Sequence, residues 1–132
     1  MVRDYPATWE AMAQWVVDHK ISNNIQAVIG LGDVTQSHTN SEYTEALLGW
    51  NNIKNAGVPY IPIIGNHDYN NLVIRDASKW NNIFGTAYFS GKSWYGENYN
   101  NSTENYYIKL DIGTHKYLIM ALELFPRTVV LT

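Results

Sequence analysis

Three polar residues able to do chemistry, Asn66, His67 and Asp68, follow directly after an apolar run at residues 58–64 and the glycine Gly65. The run is rich in β-branched residues and too short for a buried helix, so it predicts a buried strand. Amide and carboxylate oxygens bind metal ions, and an imidazole transfers protons near neutral pH. Because ligands bind at the carboxyl ends of strands in open α/β sheets, we expect a functional site on this loop.

A second loop of the same kind lies upstream. A short apolar strand is predicted at residues 25–29, and Gly32 and Asp33 follow it. Asp33 precedes Asn66 by 33 residues, and one predicted helix separates the two strands. A strand, a helix and a second strand in this order form a parallel, right-handed β-α-β unit, whose strands end at the same edge of the sheet. We therefore expect Asp33 and the cluster at residues 66–68 to lie close together.

Further elements are predicted from apolar spacing and from turn residues. The first helix begins with Thr8 as N-cap and runs to about Lys20, because apolar residues recur at i, i+3, i+4, i+7 and i+8. The second runs from about Ser41 to Asn55 and ends before Gly57 and Pro59. A third helix is predicted at residues 72–84, a long irregular stretch at 85–105, and a hairpin with strands at 106–110 and 116–122 that turns at 111–115.

The pair Gly32-Asp33 and the tetrapeptide Gly65-Asn66-His67-Asp68, each at a strand exit, resemble the motifs of the calcineurin-like metallophosphoesterases. These enzymes are two-metal hydrolases of phosphate esters. The resemblance covers roughly residues 6–125. It implies an α/β fold, part of a layered α/β/β/α sandwich with a parallel β-α-β core and a C-terminal hairpin. It also implies a metal-dependent phosphoesterase that acts on a phosphomonoester or phosphodiester through a metal-bridging hydroxide.

The resemblance assigns a role to each residue of the two loops. Asp33 matches the carboxylate that bridges two divalent metal ions, such as Mn, Fe or Zn, and Asn66 matches a neutral ligand of one metal. His67 matches the residue that protonates the leaving group or stabilises the transition state, and we expect Asp68 to orient its ring. Asp33 and Asn66 are thus the predicted metal ligands, and His67 and Asp68 the predicted catalytic residues.

The sequence also departs from the family pattern. No Asp-x-His motif precedes Asp33, no Gly-His-x-His motif follows, and Gln36 occupies a place where many members have Asp, Asn or Tyr. Of about seven expected ligands, only Asp33 and Asn66 are present. We therefore expect residues 1–132 to be one truncated domain, the central fragment of a catalytic domain, with an incomplete site and little activity in isolation. Unpaired strand edges in such a fragment invite association into oligomers.

Alternative explanations remain for these residues. Gly-Asp and Gly-Asn pairs also populate ordinary turns, and His67 with Asp68 can form a plain surface pair. His38 either reaches the site or is a solvated loop residue, and the second is favoured. His19 suits a helix C-terminus, and His115 suits the hairpin turn.

The aromatic residues allow an alternative function from a different class. Most tryptophans fall on predicted helices and are expected to pack in the core, whereas Trp94, Tyr95 and Tyr99 lie among glycines and asparagines. A loop at residues 94–99 that stacks on ligands would make the chain a non-catalytic fragment or pseudoenzyme that binds a carbohydrate or a protein. Collapsed packing of the same loop is at least as good an explanation.

Composition narrows the remaining classes of function. The chain has 45% hydrophobic and 16% charged residues, as expected for a globular protein. Its net charge of −3 provides no basic surface for nucleic acid, and the absence of cysteine excludes disulfides and thiolate chemistry. No apolar stretch is long enough to span a membrane, and no targeting segment is recognisable, so the sequence does not indicate a localisation.

Overall fold

A computed structural model describes residues 3–128. The strands of this part form a two-stranded parallel sheet and a three-stranded antiparallel sheet. In chain order they are α1 (Pro6–His19), β1 (Val28–Ile29), α2 (Asn40–Asn55), β2 (Tyr60–Ile61), α3 (Ser78–Phe84), β3 (Tyr95–Asn98), β4 (Tyr106–Ile112) and β5 (His115–Ala121), with short 3-10 turns at Asn66–Asp68 and Thr86–Phe89. The α/β class, the β-α-β core and the C-terminal hairpin are confirmed.

The two strands of the β-α-β unit pair in parallel, as predicted. Val28 lies opposite Tyr60, and Ile29 lies opposite Ile61. Only two residues of each predicted strand take part in the ladder. The second strand is flanked by Pro59 and Pro62, which have no backbone N–H to donate, and this limits the length of its pairing.

Both long helices begin earlier than predicted. Pro6 occupies the first turn of α1, where the absent N–H is not needed, so Thr8 lies inside the helix and does not cap it. The cap of α2 is Thr39, whose hydroxyl accepts a hydrogen bond from the backbone N–H of Glu42. The Glu42 side chain in turn accepts from the backbone N–H of Thr39 at 3.0 Å, which completes a capping box. The start predicted at Ser41 was therefore wrong by one residue.

The third helix is half as long as predicted. It covers only Ser78–Phe84, because residues 70–76 form a turn closed by paired backbone bonds between Asn71 and Asp76. The Asn71 side-chain oxygen accepts hydrogen bonds from the N–H groups of Val73 and Ile74. Asparagine that bonds to nearby backbone in this way competes with the helix.

The antiparallel sheet has the order β3-β4-β5. Strand β3 lies within the stretch 85–105, which we expected to be irregular throughout. The hairpin pairs Asp111 with Lys116 and Ile112 with His115, so its turn is only Gly113 and Thr114. His115 therefore begins β5, and the prediction that it lies in the turn was wrong. Gly113 has φ +60°, which glycine adopts without strain.

The core between helices and sheets is rich in aromatic rings. Trp94 meets Tyr60 edge to face at 5.0 Å, and Tyr95 stacks on Phe89 at 4.5 Å between ring centroids. Tyr60 and Phe89 are buried. Of the two explanations for this loop, the structure shows the packed one for Trp94 and Tyr95.

Helix α1 packs on α2 through Trp9. Its indole N–H donates to the Ala46 carbonyl at 3.0 Å, and its ring lies 5.2 Å from that of Trp50. The approach requires Gly49, because a Cβ there would overlap the Trp9 ring. Trp15 does not follow the predicted packing: its side chain is exposed and stacks on His19.

Candidate metal and catalytic site

The loops that leave β1 and β2 touch at Asp33 and His67. The backbone N–H of His67 donates a hydrogen bond of 3.0 Å to Oδ1 of Asp33. Gly65 makes this approach feasible, because a Cβ at that position would overlap the Asp33 carboxylate. Asp33 itself has φ +51°, a left-handed conformation that aspartate tolerates better than most residues. Asp33 and the cluster at residues 66–68 thus lie together, as their places after parallel strands predicted.

Asp68 is buried beneath this contact and joins the two loops. Its Oδ2 accepts hydrogen bonds from the N–H groups of Gly65 at 2.8 Å and Val34 at 3.2 Å. Its Oδ1 accepts from both the N–H and the hydroxyl of Thr35, each at 2.8 Å. Burial raises the pKa of the Asp68 carboxyl above its usual range, although the hydrogen bonds it accepts act in the opposite direction.

The His67 ring has a different partner from the predicted one. Its Nδ1 lies 2.9 Å from the backbone oxygen of Gln36 and 3.1 Å from the side-chain amide of the same residue. A carbonyl oxygen can only accept, so Nδ1 carries the hydrogen and Nε2 has the lone pair in the neutral ring. The prediction that Asp68 orients this ring is not what the structure shows, because the Asp68 oxygens are occupied by backbone and hydroxyl donors. Gln36 orients it instead.

Two residues of helix α2 form hydrogen bonds with the two loops. The hydroxyl of the buried Tyr43 donates a hydrogen bond of 2.6 Å to the backbone oxygen of Asp68, and burial raises the pKa of Tyr43. The carboxylate of Glu42 accepts from the N–H groups of Gln36 and Ser37 at 3.0–3.2 Å, in addition to its bonds with Thr39. Glu42 thereby fixes the segment that presents Gln36 to His67.

Comparison with known proteins identifies the family. The family model described as calcineurin-like phosphoesterase matches residues 5–128, which is nearly the whole chain. The chain belongs to this family. None of the curated proteins and none of the solved structures compared with it matches.

The donor atoms in this calcineurin-like phosphoesterase fit part of a metal site. Asp33 offers a carboxylate, and the exposed Asn66 offers an amide oxygen on the adjoining loop. Oxygen donors of this kind suit hard divalent cations. Within residues 3–128, however, no three histidine, cysteine, aspartate or glutamate side chains are grouped closely enough to hold a metal ion. The type of ligand fits, and the number of ligands in the described part is too small for a metal pair.

His19 and His38 make no hydrogen bond to Asp33 or His67 within residues 3–128. His19 is the last residue of α1, where its Nδ1 lies 2.8 Å from the Trp15 carbonyl. His38 follows the site loop, and its backbone oxygen accepts a hydrogen bond from Lys79 at 2.9 Å. No hydrogen bond within residues 3–128 joins the His38 ring to either site loop. His19 thus has the helix C-terminal position expected from the sequence, whereas His38 is a half-buried loop residue.

Sequence reasoning missed Glu42, Thr35 and Tyr43, which hold the loops of this phosphoesterase in place. The signal for Glu42 was present, because Thr39 and Glu42 have the spacing of a capping box. Thr35 and Tyr43 form hydrogen bonds with Asp68, from which they are 33 and 25 residues away in the sequence, and local pattern gives no signal for such contacts.

Within residues 3–128 the helices are too short or too polar to cross a membrane.

Proposed function

We propose that this chain carries part of the site of a metal-dependent phosphoesterase, in which Asp33 and Asn66 bind divalent cation and His67 acts on the substrate. The observation that carries the proposal is the 3.0 Å hydrogen bond from the His67 N–H to Asp33, in a chain of the calcineurin-like phosphoesterase family. This bond joins the two loops that carry the Asp33 carboxylate, the Asn66 amide and the His67 imidazole. Phosphate-ester hydrolysis uses these three kinds of group.

Divalent cations in such a site would withdraw charge from the phosphoryl oxygens and make a strong nucleophile available at neutral pH. The protein's own contribution is to hold the donors and the proton. Asp33 accepts one hydrogen bond at Oδ1, so lone pairs on both of its oxygens remain for cation binding. His67 has its Nδ1 hydrogen directed to Gln36, and its Nε2 can take up a proton and transfer it to the leaving oxygen.

Asp68 contributes by position in this proposal. All of its hydrogen bonds hold the backbone of the two loops, at Gly65, Val34 and Thr35. It therefore acts through the placement of Asp33 and His67 and does not touch the substrate. A site held this firmly before the ligand arrives loses less entropy when it binds.

The incomplete ligand set limits the activity expected of the isolated chain. Two oxygen donors fill only a fraction of the six or so positions around a divalent cation, and water fills the rest. We expect weak metal binding and slow or absent turnover from residues 1–132 alone.

Within residues 3–128, Trp94 and Tyr95 do not favour the rival function, in which aromatic residues of the loop 94–99 bind a carbohydrate or a protein. Trp94 and Tyr95 direct their rings onto Tyr60 and Phe89 in the core. Rings used in this way are not available to stack on a ligand. The phosphoesterase is therefore the function that the geometry supports best.

A calorimetric titration with Mn²⁺ in phosphate-free buffer tests the proposal. The wild-type chain, Asp33→Asn and Asn66→Ala are compared with Asp111→Asn, which makes the same chemical change on the exposed β4-β5 hairpin. We expect weak binding by the wild type and by Asp111→Asn, and a loss of about tenfold, or 1.4 kcal/mol, in each site variant. Equal binding by Asp33→Asn and wild type would remove Asp33 as a ligand, and equal binding by Asn66→Ala and wild type would remove Asn66. No binding by any of the four proteins would remove both.

A further inference from the structure

Tyr69 follows directly after the 3-10 turn Asn66–Asp68, which we call the site turn, and its side chain is buried. Its hydroxyl donates at 3.1 Å to Oε2 of Glu123, just after β5, and faces Oε2 of Glu104, just before β4, at 3.3 Å. Burial raises the pKa of Tyr69, and the two carboxylates raise it further, so the hydroxyl keeps its hydrogen. The exit of the site turn is therefore attached to the antiparallel sheet.

Glu123 is the fully buried acceptor at the centre of these contacts. None of its side chain is exposed. Its Oε2 also accepts from Nη1 of Arg75 at 2.7 Å, and its Oε1 accepts from Nε of Arg127 at 2.9 Å. Burial raises the pKa of Glu123, but hydrogen bonds from Asn105 and Arg127 and the two guanidinium charges lower it more, so the net pKa lies below the usual 4.5. Glu123 is thus an anion at neutral pH and a strong acceptor.

Glu123 receives donors from both ends of the turn at residues 70–76. Tyr69 precedes this turn, and Arg75 lies near its end. The Arg75 guanidinium also donates from Nη2 to the backbone oxygen of Phe125 at 2.8 Å. Arg75 and Phe125 have φ +53° and +51°, a left-handed conformation that such residues rarely adopt. It persists where surrounding contacts hold it. One buried carboxylate therefore closes the segment that follows the site turn.

The exposed Asn66 depends on its neighbours for its position, because no hydrogen bond within residues 3–128 holds its side chain. We propose that Glu123 is a positioning residue of the candidate site and acts through Tyr69 on Asn66 and His67. This rests on the proposed function, in which Asn66 binds a cation and His67 acts on the substrate. Asp68 fixes the site turn against the loop after β1, and Glu123 fixes its exit against the other sheet. A turn held at both points loses less entropy when a ligand binds.

A role in overall stability alone is the competing explanation, and it predicts a different result. Global unfolding exposes all amides together, whereas the loss of a local attachment increases the opening of that segment alone. Tyr60 provides the matched control. It is buried, and its hydroxyl donates to the backbone oxygen of Tyr88 at 2.7 Å, in a contact that involves neither site loop. Tyr60→Phe therefore makes the same chemical change as Tyr69→Phe at a distinct place in the core.

The test is native-state hydrogen exchange of the full chain without metal, measured by ¹⁵N NMR on wild type, Tyr69→Phe and Tyr60→Phe. The N–H of His67 reports the site turn, and the N–H of Lys109, which donates to Trp94 at 2.8 Å, reports the antiparallel sheet. We expect the exchange rate of His67 relative to Lys109 to rise about tenfold in Tyr69→Phe, because a hydrogen bond to a charged group is lost. The same ratio should stay at the wild-type value in Tyr60→Phe.

Arg75→Met removes the other donor that the turn at residues 70–76 directs to Glu123. It should raise the same exchange ratio, and Arg75→Lys, which keeps a cationic donor, should restore part of the wild-type value. An unchanged ratio in Tyr69→Phe would overturn the proposal, and so would an equal rise in Tyr60→Phe. A rise in Tyr69→Phe with a wild-type ratio in Arg75→Met would remove Glu123 as the shared anchor and would equally overturn it.

A calorimetric titration with Mn²⁺ separates this proposal from the proposed function. Tyr69→Phe should bind Mn²⁺ at least about threefold more weakly than wild type, and Tyr60→Phe should bind it as wild type does. Equal binding by Tyr69→Phe and a wild type that binds Mn²⁺ would overturn the positioning of Asn66. Absence of binding by wild type would count against the proposed function, whereas hydrogen exchange needs no metal and still decides whether Glu123 positions the site turn.

Discussion

Replacement of Asp68 by asparagine removes one buried oxygen that two donors need. Each Asp68 oxygen accepts two hydrogen bonds, one oxygen from Gly65 and Val34 and the other from two groups of Thr35. An asparagine amide has a single oxygen and places an NH2 group where the second oxygen was. If the NH2 faces Gly65 and Val34, two buried N–H groups lose their acceptor. If it faces Thr35, the hydroxyl can turn to accept and only the Thr35 N–H is left unpaired.

The second orientation is the less costly one and sets the magnitude. One unpaired buried N–H costs about 1–3 kcal/mol, and two remaining bonds that lose their charged acceptor weaken by about 1 kcal/mol each. The substitution also recovers part of the lost stability, because asparagine buries no charge. Burial of the Asp68 charge is unfavourable, and this is why burial raises the pKa of Asp68. We therefore expect Asp68→Asn to lower the free energy of unfolding by about 2–4 kcal/mol, a large share of the roughly 5–15 kcal/mol typical of a domain.

Urea unfolding followed by tryptophan fluorescence and circular dichroism measures this loss. With a slope of about 2 kcal/mol per molar urea, within the usual range, the midpoint should fall by about 1–2 M. Asp111→Asn is the control, because its side chain is exposed on the hairpin, and it should stay within about 0.5 kcal/mol of wild type. An Asp68→Asn protein as stable as this control would refute the reasoning, since it would mean that the four hydrogen bonds do not hold the loops.

Three further predictions concern Glu42, Trp94 and His67. Glu42→Gln should cost about 2 kcal/mol at neutral pH by weakening the charged acceptor of the capping box. Burial raises the pKa of Glu42, but the hydrogen bonds from Thr39 and its neighbours lower it more, so the net pKa lies below the usual 4.5. The stabilisation is therefore complete above pH 4.5 and should disappear as the pH falls through the lowered value, in urea titrations at several pH values. Trp94→Ala should cost about 2–4 kcal/mol by the same method, because the ring packs in the core, and an unchanged midpoint would contradict that packing. In ¹⁵N NMR, the neutral His67 ring should carry its hydrogen on Nδ1, and a hydrogen on Nε2 would contradict the bond to Gln36.

The parts of the fold predicted correctly are those with a local, periodic signal. Local sequence pattern predicted α1 and α2, and two short apolar runs, one before and one after α2, predicted strands. Together these elements identified the β-α-β unit. The order of that unit then placed Asp33 beside His67, because parallel strands end at the same edge. Family motifs and elementary topology agree on this point, and the 3.0 Å bond between the two residues is the result.

The errors arose where a polar side chain competes with the periodic pattern. Residues 72–77 look helical, yet the Asn71 side chain bonds to the backbone of Val73 and Ile74 and keeps them out of α3. Strand β3 was hidden because it has only four residues, Tyr95–Asn98, which include a glycine and an asparagine. Its place in the sheet comes from pairing with β4, a contact that no local window contains.

The site shows the same limit, because the two aspartates of the motifs differ in burial and in the number of hydrogen-bond donors around them. A carboxylate has about four positions at which it accepts hydrogen bonds or binds a cation. Asp68 has four donors on these positions and is buried, so it can only hold the loops. Asp33 accepts one hydrogen bond within residues 3–128 and is partly open to solvent, so its remaining positions can bind a cation. Both residues are aspartates, and the count of hydrogen-bond donors around each one distinguishes the proposed ligand from the residue that supports the loops.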